Sequence, residues 1–355
     1  MTDALKKKPY NNFVLLRLIL ALWVLISHYK VVGGATLLDT ISFSPEFRVA
    51  GFFVVSGYVI IASFEKLPVV KSFYAKRFFR LYPLYGLVIL LQTIFMSLFF
   101  MDNITEQIPS ITKYFFVNMI MLNFLQYDIG GLLANAKNPG INPSLWTLKI
   151  EVMFYAIVPL LSWFFHKFRW QGLIVLFVAS SIFNQYLIET GHPQLAKQLP
   201  GALRYIVVGM ALYYYRNNYT LSVSLAWLFI LSAFIVLTFH NQNVPQFLYP
   251  IFIGLIVIFF ATKVPCPRPK VDLSYGVYLV HAPLIQFSIL LGVFQDNIWF
   301  LTALISVSMI IAYFGYRYIE LPCVALGRKI SKYAAMTPTL PNPQINTAQQ
   351  APTNN

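Results

Sequence analysis

Apolar runs long enough to cross a bilayer recur along almost the whole chain, and that recurrence excludes most folds before any single residue is weighed. A spanning helix needs about 20 mostly apolar residues. Such runs are read at 12–30, 49–64, 83–101, 146–165, 172–189, 201–215, 222–239, 246–262, 273–293 and 297–319. A further apolar segment at 111–125 lies at the interface or dips in. With 58% hydrophobic and 11% charged residues over 355 positions, the chain is too apolar for a water-soluble globule. The expected fold class is all-α, a polytopic membrane helix bundle of about ten transmembrane helices.

Lys and Arg divide unevenly between alternate loops. With the N terminus inside, 17 fall in inner segments, Lys6 to Lys8, Arg77 and Arg80 among them, against five outside, at Lys30, Arg48, Lys113, Lys137 and Lys197. Cytoplasmic loops carry that excess, so both termini are expected in the cytoplasm. The net charge of +14 is then mostly orientation bias, and nucleic acid is not an expected partner. The run after Lys6 to Lys8 is long for a signal peptide and carries Arg17, so it reads as an uncleaved first span. Residues 1–333 read as one membrane domain, and the polar, proline-containing stretch 334–355 as a disordered cytoplasmic tail.

The few polar residues inside the runs carry the functional information. Arg17 and His28 stand eleven residues apart on the first span, about 16 Å and almost three helical turns, hence on one face. An arginine inside such a run costs about 2.5–3.5 kcal/mol. The two side chains either face a polar pathway or snorkel to opposite headgroup layers. Glu151 is the one acid placed well inside an assigned span, a turn before Tyr155 in NPSLWTLKIEVMFY. It reads as a site residue or as the partner of a neighbouring charge such as Lys149. Ser274, Tyr278 and His281 form a stripe at i, i+4 and i+7 that either stitches helices or lines a substrate path.

Arg77 and Arg80, three apart in KSFYAKRFFRLYPLY, face the same way, and Pro83 is expected in the first turn of the next helix. They suit anionic headgroups or a bidentate clamp for phosphates such as those of coenzyme A. Gly51, Ser56 and Gly57 allow close helix approach. Arg317 and Glu320 are expected to pair locally, with Pro322 ending the last span. No Cys/His cluster has metal-ligand spacing, so no metal is expected.

Five of these stretches, in order over roughly residues 11–325, resemble the signatures of the acyltransferase 3 family of integral-membrane acyltransferases. They are Arg17 with His28, Phe52 to Gly57, Arg77 and Arg80 with Pro83, Trp146 to Tyr155, and Ser274 to His281. The resemblance implies O-acylation, with acetyl-CoA as donor and a cell-surface or lipid-linked carbohydrate as acceptor, in a bacterial plasma membrane. It assigns His28 as general base paired with Glu151, and Arg17, Arg77 and Arg80 to the donor. Ser56, Trp146, Tyr155, Ser274, Tyr278 and His281 fall to the substrate path. One departure is Ala50, where relatives carry an acid. Another is that many relatives carry a hydrolase-like domain after the last span, where a short tail is expected here. The rival class is a transporter or flippase using the same buried charges.

Overall fold

The computed structural model describes residues 11–37, 45–216, 227–228, 230–234 and 247–336, and every regular element among them is helical. The helices are α1 (Phe13–Val31), α2 (Pro45–Glu65), α3 (Val70–Phe100), α4 (Ile104–Met119), α5 (Leu145–Glu189), α6 (Leu199–Tyr214), α7 (Tyr249–Lys263), α8 (Ser274–Leu290), α9 (Ile298–Gly315) and α10 (Leu321–Met336). A single turn, Pro193–Ala196, precedes α6, and a π turn, Tyr316–Glu320, joins α9 to α10. Among the described residues, five helical stretches are long and apolar enough to cross a membrane, and α7 and α8 are shorter apolar helices. The chain is a multi-pass membrane protein, as its apolar periodicity requires. Most of the helix expected at 222–239, and the tail beyond Met336, lie outside the described residues.

The structure departs from the sequence expectations at three places. The basic stretch and the span after it form one 31-residue helix, α3, with Pro83 in its interior. Proline removes one ladder bond, and a long helix packed by its neighbours tolerates that loss. The expected long loop after α3 contains α4, which buries Tyr114 and Asn118 while leaving Phe116 exposed. The runs at 146–165 and 172–189 are two helices, as expected, and they meet at Arg169, whose φ of 53° breaks the helical path. Pro322 does not end the last span, because the Leu321 N–H donates five residues back to Tyr316 and the chain continues as α10. That wider turn lets helical bonding pass a residue that has no N–H of its own.

Two contacts frame the interior. α2 and α6 cross with their backbones almost touching, since a Cβ at Gly57 would lie 2.1 Å from the Ile206 carbonyl oxygen, and one at Gly209 2.1 Å from that of Val54. Small residues at a membrane crossing permit that approach. α8 packs between α1 and α9 and also reaches α3. The polar stripe on α8 is buried, with Ser274 bonded to Asp272, Tyr278 to Thr147 of α5 and His281 to His28 of α1.

Candidate active site

α1, α2, α3, α5 and α8 enclose a cavity of about 110 Å³. Arg17, Ser56, Arg77, Arg80, Glu151, Tyr155, Ser274 and Tyr278 all line it. These residues come from five helices spread over most of the chain, and the helical spacing on each element turns them to one interior. On α3 the three-residue spacing brings Arg77 and Arg80 in together. Trp146 lies beside the cavity, partly buried against the main core.

The three guanidiniums have different partners. Arg17 and Arg80 share one oxygen of Asp272, at 2.8 and 2.9 Å, and Arg80 also bonds Glu320. Arg77 donates to the Ser63 hydroxyl at 2.6 Å and lies over the rings of Phe73 and Tyr155. No carboxylate bonds it among the described residues, and its buried Nε has no partner. Glu151 accepts from the Tyr155 hydroxyl one turn along α5. Asp272 stands in the connection before α8, and its Oδ1 accepts from the Ser274 hydroxyl at 2.6 Å. Burial pushes this carboxyl up, but the Arg17 and Arg80 guanidiniums and the Ser274 bonds outweigh burial and hold it below the ordinary carboxylate range.

His28 and His281 lie toward the opposite end of α1 and α8 and hydrogen-bond to each other, Nδ1 to Nε2, at 2.8 Å. His281 is fully buried, whereas His28 remains partly accessible. Tyr278 joins this pair to the cavity. It lines the cavity, packs edge-on against the His281 ring, and its hydroxyl meets that of Thr147 at 2.5 Å. The expected Glu151 to His28 contact is not among the hydrogen bonds of the described residues. His281 stands level with Ser144, whose hydroxyl is 3.4 Å from its ring. Glu151 lies seven residues beyond Ser144, roughly 10 Å along a helix, so each of the two expected partners bonds a nearer group.

Three charged residues escaped the sequence reading. Glu320 was expected to pair with Arg317, yet it bonds Arg80 and is 2% exposed. Asp272 reads as a loop residue and is the hub of the arginine pair. Charge balance was the available signal, because arginines in apolar surroundings require acids and Glu151 alone is too few. Arg48 counts as an outer-loop charge in sequence but is helical and 7% exposed, and its charge acts on both His28 and Tyr278. Among the described residues no cluster of three or more His, Cys, Asp or Glu side chains is placed to hold a metal.

Comparison with known proteins places the chain in a family. Nodulation protein 10 of Rhizobium leguminosarum bv. viciae is 24% identical, over 79% of this chain and 84% of that protein. The peptidoglycan O-acetyltransferase OatA of Listeria monocytogenes is 26% identical, over 76% of this chain and 50% of that protein. An O-acetyl transferase of Shigella phage Sf6 is 26% identical, over 78% of this chain and 85% of that protein. No solved structure matches the chain. The model of the acyltransferase 3 family, described as an acyltransferase domain, matches residues 10–317. That span takes in every helix lining the cavity and both histidines, and the chain belongs to this family of acyltransferases.

Proposed function

We propose that the protein is an O-acetyltransferase of a bacterial plasma membrane that moves an acetyl group from cytoplasmic acetyl-CoA to a hydroxyl of a carbohydrate. The observation that carries this reading is a cavity lined by Arg17, Arg77 and Arg80 whose wall residue Tyr278 packs against His281, the hydrogen-bond partner of the part-accessible His28. Two relatives named as O-acetyltransferases support the acetyl group, and one of them is named for a polysaccharide acceptor. The excess of Lys and Arg on alternate loops supports placing the arginine end inside the cell.

Arg77 is the guanidinium suited to hold the donor phosphates, because its charge is not spent on a carboxylate. Arg17 and Arg80, tied to Asp272 and Glu320, set the shape of the rim. A cavity of about 110 Å³ takes the slender acyl end of the donor and leaves the nucleotide at the rim. At the far end His28 takes the proton of the acceptor hydroxyl as its oxygen bonds the acyl carbon and the carbon–sulfur bond breaks. The proton then passes to the departing thiolate, so the reaction balances. Glu151 holds Tyr155 in the cavity wall.

Mass spectrometry of surface glycans from cells with and without the protein tests the proposal. An acetyl increment on a glycan that disappears with the protein is expected. Identical glycans in the two strains would contradict it.

A further inference from the structure

The histidine pair contains more information than proximity. The His281 Nδ1 lies 2.9 Å from the Val277 carbonyl oxygen, one turn back on α8. A carbonyl only accepts, so Nδ1 carries the proton and donates it. His281 is fully buried and no acid bonds it among the described residues, a setting in which a charged ring is costly and a neutral ring has one N–H. Its Nε2 is then a lone pair, and of the two groups facing it the nearer is the His28 Nδ1 at 2.8 Å, with the Ser144 hydroxyl at 3.4 Å. The nearer contact is a hydrogen bond only if His28 is the donor. The proton of a neutral His28 is thereby fixed on Nδ1, and Nε2 is left as an acceptor. No protein atom among the described residues bonds His28 Nε2, and the His28 side chain is partly accessible.

We infer that His281 is a positioning residue: through the Val277 carbonyl, it sets the tautomer of His28 and leaves Nε2 as the proton acceptor for the incoming hydroxyl. This rests on His28 being the general base of the proposed reaction. A relay ending on a helix carbonyl does for His28 what an orienting carboxylate does in other acyl-transfer sites. It explains how His28 is oriented although Glu151 bonds Tyr155. The Ser144 hydroxyl at 3.4 Å and the Tyr278 ring complete the surroundings of His281, and Arg48 is the charged group acting on His28.

Two readouts test it. In full-length protein in detergent, ¹⁵N-histidine spectra in a background with His166, His192 and His240 changed to Gln leave only the two site rings. Both rings are expected to carry their proton on Nδ1 at neutral pH, and a His28 protonated on Nε2 would overturn the inference. In kinetics, His281→Leu is expected to lower kcat about 100-fold or more with the KM for acetyl-CoA unchanged. His281→Gln places an amide oxygen near the lost Nε2 and is expected to recover at least a tenth of wild-type kcat. Full activity in a folded His281→Leu would overturn the inference while His28 remains the base. Activity in His28→Ala would instead remove the reading beneath it. If His281→Leu fails to fold, the spectra of the unaltered pair decide.

Discussion

At the scale of single residues, the arginines of the cavity separate into one bonded to a neutral hydroxyl and two tied to carboxylates. Arg77→Ala removes a guanidinium whose side-chain bond is to a neutral hydroxyl. It is expected to weaken acetyl-CoA binding about tenfold, measured by calorimetry in detergent, with little change in melting temperature. Arg80→Ala leaves Glu320, 2% exposed, without its cation. Removing one partner of a buried pair costs about 3–5 kcal/mol, and the lower end applies because Arg80 is part exposed, so a lower melting temperature is expected. Asp272 gives a pH test. Its folded value lies below the unfolded value of about 3.9, so its stabilisation is complete above that pH and is lost as pH falls through the folded value. Thermal melts of wild type and Asp272→Asn should differ most near neutral pH and converge in acid below about pH 4. A gap that persists unchanged in acid would show that Asp272 contributes little as a carboxylate. The cavity residues were legible in sequence because a charge in an apolar run is costly and stands out. Their partners were not, since Arg17 and Asp272 are 255 residues apart and meet only through the packing of α1 against α8.

Between elements, the α2 and α6 crossing is the tightest constraint on the site, because α2 carries Ser56 into the cavity immediately beside Gly57. Gly57→Ala puts a methyl group 2.1 Å from the Ile206 carbonyl oxygen. Overpacking of this kind costs about 1–3 kcal/mol. The variant should melt lower and lose activity together, whereas Gly131→Ala, whose Cβ meets nothing within 4 Å but whose φ is +80°, strains its own loop and should leave the crossing and activity intact. The small residues of α2 announced close packing in the sequence, but not the helix that meets them. The two proline misreadings share one cause. Pro83 and Pro322 carry the local signature of a helix boundary, and tertiary packing in α3 and the π turn before α10 overrides it. The π turn also has a positional consequence, since it holds Glu320 buried against Arg80.

Across the whole molecule, the helix bundle holds a cavity lined by arginines and, beyond its wall residue Tyr278, a pair of histidines. One end gathers Arg17, Arg77 and Arg80 around Asp272 and Glu320, and the other presents His28 backed by His281 and approached by Arg48. Arg17 and His28 mark the two ends on one helix, roughly 16 Å apart along its axis. In the proposed reaction a donor held at the first end meets an acceptor at the second, so neither substrate has to cross the membrane whole. The most direct measurement is surface-glycan acetylation by mass spectrometry in cells making equal amounts of wild-type protein and His28→Ala. Loss of the acetyl increment in the variant is the expected result. An increment equal to wild type would show that acyl transfer does not pass through this imidazole.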